Sequence, residues 1–261
     1  TAVVLRWLVA AAAAEEPRAF VELVADHDVV YVNQPIRLTL RIGYDAALFE
    51  RGAVQLFQQK LDLPVHVEAP DMHRPASPGD GKTFALNDDV VRARTAEPRG
   101  RFTVCVLEQT LLATEPGERT FAAPTMRFAT GTKFREDFLH GRVATDRKDT
   151  VVKGEPLKLR VLPIPEEGRP MGWAGAVGDI AIRTDAVPRE VDEGQSLELK
   201  MWITGGNAET LSAPVLADIG LDEFHVVGSL AADRDGERLF TFTIRPLSAD
   251  IDAVPALALP Y

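Results

Sequence analysis

The chain has 261 residues, 46% of them hydrophobic, a formal net charge of −10 and one cysteine. That length admits one large domain or two of ordinary size. The acidic balance argues against a general nucleic-acid or anionic-membrane binder, which needs concentrated Lys and Arg, and still leaves room for a local basic patch. Cys105 stands alone, so an intrachain disulfide and a thiolate metal cluster are both excluded. Bracketed by Phe102, Val104 and Val106, it reads as an ordinary strand cysteine that shares a face with Thr103 and Leu107 on simple alternation.

No stretch reaches the roughly 18 uninterrupted apolar residues of a membrane-spanning helix. Residues 1–14, TAVVLRWLVAAAAA, followed by Glu15-Glu16-Pro17, resemble the tail of a secretory signal; an Ala-rich helix is the alternative. FVELVAD (20–26) begins a strand pattern, Asp26-His27-Asp28 is a polar turn, and Asn33-Gln34-Pro35 leads into alternating Ile36, Leu38, Leu40 and Ile42. Between Asp45 and Phe57 the apolar spacing changes to three and four, which predicts a short surface helix flawed by Gly52. LDLPVHVEA (61–69) is extended, and 70–82 form a turn-rich loop. A hairpin turning at Asn87-Asp88-Asp89 comes next, then a strand run over Arg101–Leu112. Residues 130–154 are polar and resist placement before EPLKLRVLP (155–163) closes a first domain.

The stretch 161–208 organises the remainder of the chain. Pro163, Pro165 and Pro170 remove donors and fix φ, so 163–170 is expected as a stiff crossover and not a helix. A small-residue knot comes next: Gly172, Trp173, Gly175, Ala176 and Gly178. Beyond it, DIAIRT, SLELKMWI, EFHVVG, RLFTFTI and PALALPY read as short strands of a β-sandwich. The two halves also echo each other. Val30-x-x-Asn33-Gln34-x-Ile36 matches Val191-x-x-Gly194-Gln195-x-Leu197 at an offset of 161, and Asn and Gly are residues that tolerate positive φ. Phe102–Val106 likewise resembles Phe240–Ile244, so tandem modules are expected.

Catalytic signals are sparse. His27, His66, His73, His140 and His225 include no pair at metal-binding helical spacing. Asp26-His27-Asp28, Asp62 and Asp71 read as solvated turn residues, and Asp218, Asp222 and Glu223 lack calcium-loop spacing. The run 172–178 superficially suggests a phosphate loop, but a proline crossover precedes it and a strand succeeds it. Small residues at a domain start, with Trp173 plugging the end of the core, explain it better. No catalytic residue, metal ligand or cofactor is predicted. Trp202 lies on the face opposite Leu199, Met201 and Ile203, which suits either packing in another layer or a partner contact. Gly205-Gly206-Asn207 reads as a strand-end turn whose exposed backbone could serve recognition. Trp202, Gly205, Gly206 and Asn207 are therefore the candidate interaction surface.

The motifs from 161 onward resemble the BatD family of oxygen-tolerance proteins. They are Leu162-Pro163, Gly168-Arg169-Pro170, Trp173 where phenylalanine is usual, Gly175-Ala176-Val177-Gly178, and Gly205-Gly206-Asn207, with Ile244-x-Pro246 and Val254-Pro255-Ala256-Leu257 closing the run. The resemblance is specific over 161–261 and only pattern-level over 20–160, where Val32-Asn33-Gln34 stands for Val-Gly-Gln. It implies an all-β protein of tandem immunoglobulin-like β-sandwich modules: a lead over 1–17, a first sandwich over 18–163 with inserted loops or a short helix, and a second over 164–261. It further implies a non-catalytic scaffold on the extracytoplasmic or periplasmic face of a bacterial membrane, in an aerotolerance or envelope-stress system. The expected partners are von Willebrand factor A-type domain proteins, with no nucleic acid, and membrane attachment through a C-terminal helix that this sequence does not include. A carbohydrate-binding or chaperone-like β module is the alternative, and a hydrolase with a dispersed site, drawing on Asp26, His27 or His225, is a third reading.

Overall fold

A computed structural model describes residues 18–56, 60–73, 81–138, 141–234 and 237–261. The signal-like segment 1–14, His140 and most of the predicted loop 70–82 lie outside them. The chain forms β1 (Ala19–Ala25), β2 (Val29–Tyr31), β3 (Pro35–Asp45), α1 (Ala46–Gly52), β4 (Ala53–Val54), β5 (Val65–Glu68) and β6 (Lys82–Leu86). Next come β7 (Asp89–Arg99), β8 (Phe102–Leu112), β9 (Gly117–Phe121), β10 (Thr125–Thr130), β11 (Phe134–Asp137), β12 (Gly141–Ala144) and β13 (Lys148–Lys153). The last strands are β14 (Leu157–Leu162), β15 (Ile180–Val187), β16 (Leu197–Gly205), β17 (Phe224–Arg234) and β18 (Glu237–Pro246). The fold is all-β, as the patterning predicts.

Two compact units divide the chain. One comprises residues 18–24, Thr39–Gln109 and Phe121–Leu157; the other comprises Ala25–Leu38, Thr110–Thr120 and Lys158–Tyr261. The largest sheet runs β1-β3-β8-β7-β6-β5-β10-β13, with β4 also paired to β10. It curls into a nearly closed barrel. Its ends approach at Gly154, just past β13, where an added Cβ would strike the Val21 carbonyl of β1. A smaller sheet orders β2-β14-β9, and the C-terminal sheet orders β15-β16-β18-β17 with antiparallel neighbours throughout.

The period-two pattern of β3 buries Ile36, Leu38, Leu40 and Ile42 completely, each at 0% exposure. In β16 the corresponding Leu197, Leu199, Met201 and Ile203 are buried in the same alternation. Each such side chain is worth about 2 kcal/mol relative to exposure. The expected common turn is present. Asn33 has φ +63° and Gly194 φ +79°. The Gln34 N–H donates to the Tyr31 carbonyl at 3.0 Å, and the Gln195 N–H to the Asp192 carbonyl at 3.1 Å. The likeness extends to topology, because the order β1-β3-β8-β7 recurs as β15-β16-β18-β17, with Ala19 of β1 and Ile180 of β15 at the same offset as the turns.

One predicted strand is absent from the structure. PALALPY contains no strand; Leu259 is buried and Val254 and Leu257 pack on the C-terminal core, while the Ala258 N–H reaches the Ile219 carbonyl at 3.3 Å. Its apolar residues are used for covering the core and not for a ladder. Residues 130–154, unplaced from sequence, form the β11–β12 hairpin and then β13, which pairs with β10 from Thr125↔Lys153 to Thr130↔Lys148. The predicted helix exists as α1, capped by the Asp45 carboxylate accepting from the Leu48 N–H at 3.2 Å.

Simple alternation fails for β8, where Val104, Cys105, Val106 and Leu107 are all buried. A central strand covered on both faces has no wet side. Cys105 shares a side-chain hydrogen bond with Tyr44, and burial pushes the thiol pKa up. Tyr44 is raised to about 12, first by burial and then by Cys105. Tyr44 also begins an aromatic contact chain, with Phe49 at 5.2 Å and Phe49 to Phe128 at 5.0 Å.

Exchanging the turn residues, Asn33→Gly with Gly194→Asn, should change stability by no more than about 0.5 kcal/mol in urea unfolding. Gly194→Val should cost about 1–2 kcal/mol, since nothing crowds the site and only the left-handed backbone objects. The tyrosine gives a pH signature. Its folded pKa lies above the unfolded value near 10, so its contribution is complete below about pH 10 and drains as pH rises towards 12. Tyr44→Phe should therefore show a shallower alkaline decline in melting temperature than the unaltered protein.

Candidate functional site

The small-residue knot and the Gly205-Gly206-Asn207 turn prove to be two halves of one latch. Asn207 is 4% exposed. Its side-chain oxygen accepts from the Val177 N–H at 2.8 Å, and its amide donates to the Gly175 carbonyl at 2.9 Å. The Asn207 N–H adds a third bond, to the Val177 carbonyl at 3.2 Å. A buried primary amide supplies both a donor and an acceptor, which suits it to a backbone strand that offers one of each. Gly205 and Gly206 carry φ of +77° and +45°. A Cβ on Gly205 would meet the Asp179 carbonyl, and one on Gly206 would meet Ile180 and the Val177 carbonyl. Gly178 approaches from the other side, its would-be Cβ 3.2 Å from Gly206 Cα.

The Asn207 side chain is thereby spent inside the fold. Gly205, Gly206 and Asn207 do border a groove of about 510 Å³ with Pro35, Thr110 and Glu209, but what they present there is backbone. Trp173 is half-buried and outside the C-terminal core cluster. Its indole N–H donates to the Ala176 carbonyl at 2.9 Å and the Arg169 guanidinium lies 4.7 Å from its ring, so it stiffens its own loop instead of plugging the core. Pro163 and Pro170 are exposed in a helix-free crossover, as expected.

Trp202 is half-buried on the outer face, absent from the core cluster, and covered by the Arg183 guanidinium at 3.9 Å. It faces Arg183 on β15 and Leu239 on β18. The exposed apolar surface lies farther along that sheet. β17 is its terminal strand, and every residue from His225 to Asp233 is exposed, with Val227 at 56% and Leu230 at 69%. From Val226 to Ala232 it carries no charge, and its one irregularity is a bulge between Val226 and Gly228. Sequence reasoning missed this edge because EFHVVG looks like any strand; only sheet order reveals which strand is last.

Asp26, Asp62, Asp71 and His66 each bond a backbone group. Asp62 accepts from the Thr83 N–H at 3.0 Å and hydroxyl at 2.8 Å, and these bonds lower its pKa. Asp71 accepts from the Ala122 N–H at 2.7 Å. His27 sits 3.3 Å from the Asp26 carboxylate at an exposed turn, while His66 contacts the Asn87 carbonyl at 2.9 Å. Asp222 and Glu223 border an acidic hollow with Asp250 and Asp252. Among the described residues no group of three or more His, Cys, Asp or Glu is arranged to hold a metal ion, and no helix is long and apolar enough to cross a membrane.

Fold and site together define an all-β protein with a repeated four-strand order and, among the described residues, an uncharged terminal strand in the C-terminal sheet. No family model matches the chain, and no curated protein matches it.

Replacing Asn207 by Ala should destabilise the protein by about 1–3 kcal/mol in urea unfolding, because two part-buried backbone groups lose their partners. Asn207→Asp should recover little, since a carboxylate cannot donate to the Gly175 carbonyl.

Proposed function

We propose that this chain is the ectodomain of a membrane-anchored, non-catalytic scaffold on the extracytoplasmic face of a bacterial membrane, as the BatD resemblance implies. Its modules are immunoglobulin-like sandwiches in tandem, a reading supported by the recurrence of β1-β3-β8-β7 as β15-β16-β18-β17. The scaffold binds by surface complementarity in an aerotolerance or envelope-stress assembly, and its partners are von Willebrand factor A-type domain proteins.

The observation that carries the interaction reading is the bare edge of β17. An edge strand displays a row of unpaired N–H and C=O groups, and proteins blunt such edges with charge, proline or an added strand. The two halves differ at this point. β7 holds β6 against its outer side, from Lys82↔Ala93 to Leu86↔Asp89. β17, at the same place in the repeated order, has only β18 as a neighbour among the described residues. A partner segment adding to β17 would reproduce the β6–β7 arrangement, with main-chain bonds for affinity and Val227 and Leu230 for side-chain contact. The same edge favours a second reading, a chaperone-like module that holds client strands transiently.

The test is co-purification of A-type domain proteins with the full-length anchored protein. Val227→Lys and Leu230→Lys should each reduce recovery strongly while leaving the unfolding midpoint within about 0.5 kcal/mol, as befits exposed positions. Undiminished recovery with both lysines present would remove β17 from the interface.

A further inference from the structure

β17 is the last strand of its sheet, and the open side of its backbone has no partner among the described residues. Past the bulge between Val226 and Gly228, its ladder with β18 is regular from Gly228↔Thr243 to Arg234↔Glu237. That regular run is arranged symmetrically about Ala231. Leu230 and Ala232 flank it on the outer face, because Leu230 pairs with Thr241 and Ala232 with Leu239, which pairs in turn with Trp202. Ser229 and Asp233 flank it on the other face, the one Ala231 shares with the buried Phe240 opposite. Leu230 is 69% exposed, and Ser229, Ala231, Ala232 and Asp233 are exposed with it.

We propose that β17 pairs antiparallel with β17 of a second copy of this chain, about a two-fold axis at Ala231. This rests on the reading of β17 as an accepting edge, and it names what occupies the edge while no other partner does. Backbone groups point alternately to the two sides of a strand, and outward groups must meet outward groups. Two identical antiparallel strands satisfy that only when the axis falls on a residue and not between two. With the axis at Ala231, residues 228–234 pair throughout and the bulge stays outside. Leu230 then lies opposite the second copy's Ala232, and Ala232 opposite its Leu230, so each large side chain meets a small one. Ser229 lies opposite Asp233, a carboxylate that accepts from Arg238 through Oδ1 and has a second oxygen. No two like charges face each other. The pairing doubles the four-stranded sheet and carries the outer row Trp202, Leu239, Ala232 on into Leu230 and Thr241 of the second copy.

A single strand-to-strand seam is a small interface, so sedimentation of the full chain should show a monomer–dimer equilibrium with Kd about 10–100 μM. It should tighten as salt rises, because each copy carries a net charge of −10 and the seam itself is uncharged at its centre. Leu230→Lys should weaken the dimer about tenfold, as lysine on an edge opposes pairing, whereas Val227→Lys in the bulge should change it less than about twofold. Cysteines report the register. Facing Cα atoms lie about 5 Å apart, within disulfide reach, while residues offset by two lie about 8 Å apart and beyond it. Oxidation should therefore cross-link Ala231→Cys and not Ala232→Cys, with the unaltered protein, whose Cys105 is 0% exposed, as the blank. Unchanged urea midpoints establish that the variants fold. A chain that stays monomeric up to about 0.5 mM overturns the proposal, as does a dimer that Leu230→Lys leaves intact or equal cross-linking at 231 and 232. Recovery of A-type domain proteins is read separately. A monomeric chain whose lysine variants lose those proteins removes self-pairing alone, and a dimer with undiminished recovery removes only the partner reading.

Discussion

A β-strand has two edges of hydrogen-bonding groups as well as two faces, and every one must be paired, covered or left to water. The architecture reflects how unequally this chain meets that demand. The large sheet bends until Gly154 lies against the Val21 carbonyl, so its first and last strands approach each other. The C-terminal sheet stays open, with β15 and β17 as its edges. β15 carries Arg183 and Asp185 and runs into Pro188, features that discourage further pairing. β17 has small and apolar residues through most of its length, and that asymmetry makes it the informative edge.

Asparagine recurs as the device that joins loops to strands. Asn207 satisfies the Gly175 carbonyl and the Val177 N–H at the end of β16. Asn87, at the β6–β7 turn with φ +51°, accepts from the Ala69 N–H at 2.9 Å and donates to the Ala69 and Met72 carbonyls. Both side chains hold an irregular segment that has no ladder of its own, and both sit where the backbone must turn sharply. The glycines around Asn207 exist because the latch is tight. The small-residue motifs are thereby tied into packing, whereas the β17 edge is a surface that packing leaves uncovered. The β17 edge is uncharged from Val226 to Ala232 and extended, and suits backbone pairing.

The sequence by itself determined the local features: the alternation that buries Ile36 to Ile42 and Leu197 to Ile203, the left-handed turns at Asn33 and Gly194, the hairpin at Asn87 and the short helix after Asp45. Each depends on residues within a few positions of one another, where steric preference and periodicity act directly. Tertiary structure alone decided that Asn207 is buried, that both faces of β8 are covered around Cys105, that PALALPY packs without pairing, and that β17 is last in its sheet. Strand order is a matter of non-local pairing, and alternation is the same whether the neighbour is present or missing. Burial of a polar side chain is equally hidden, because it depends on which distant backbone groups arrive without partners.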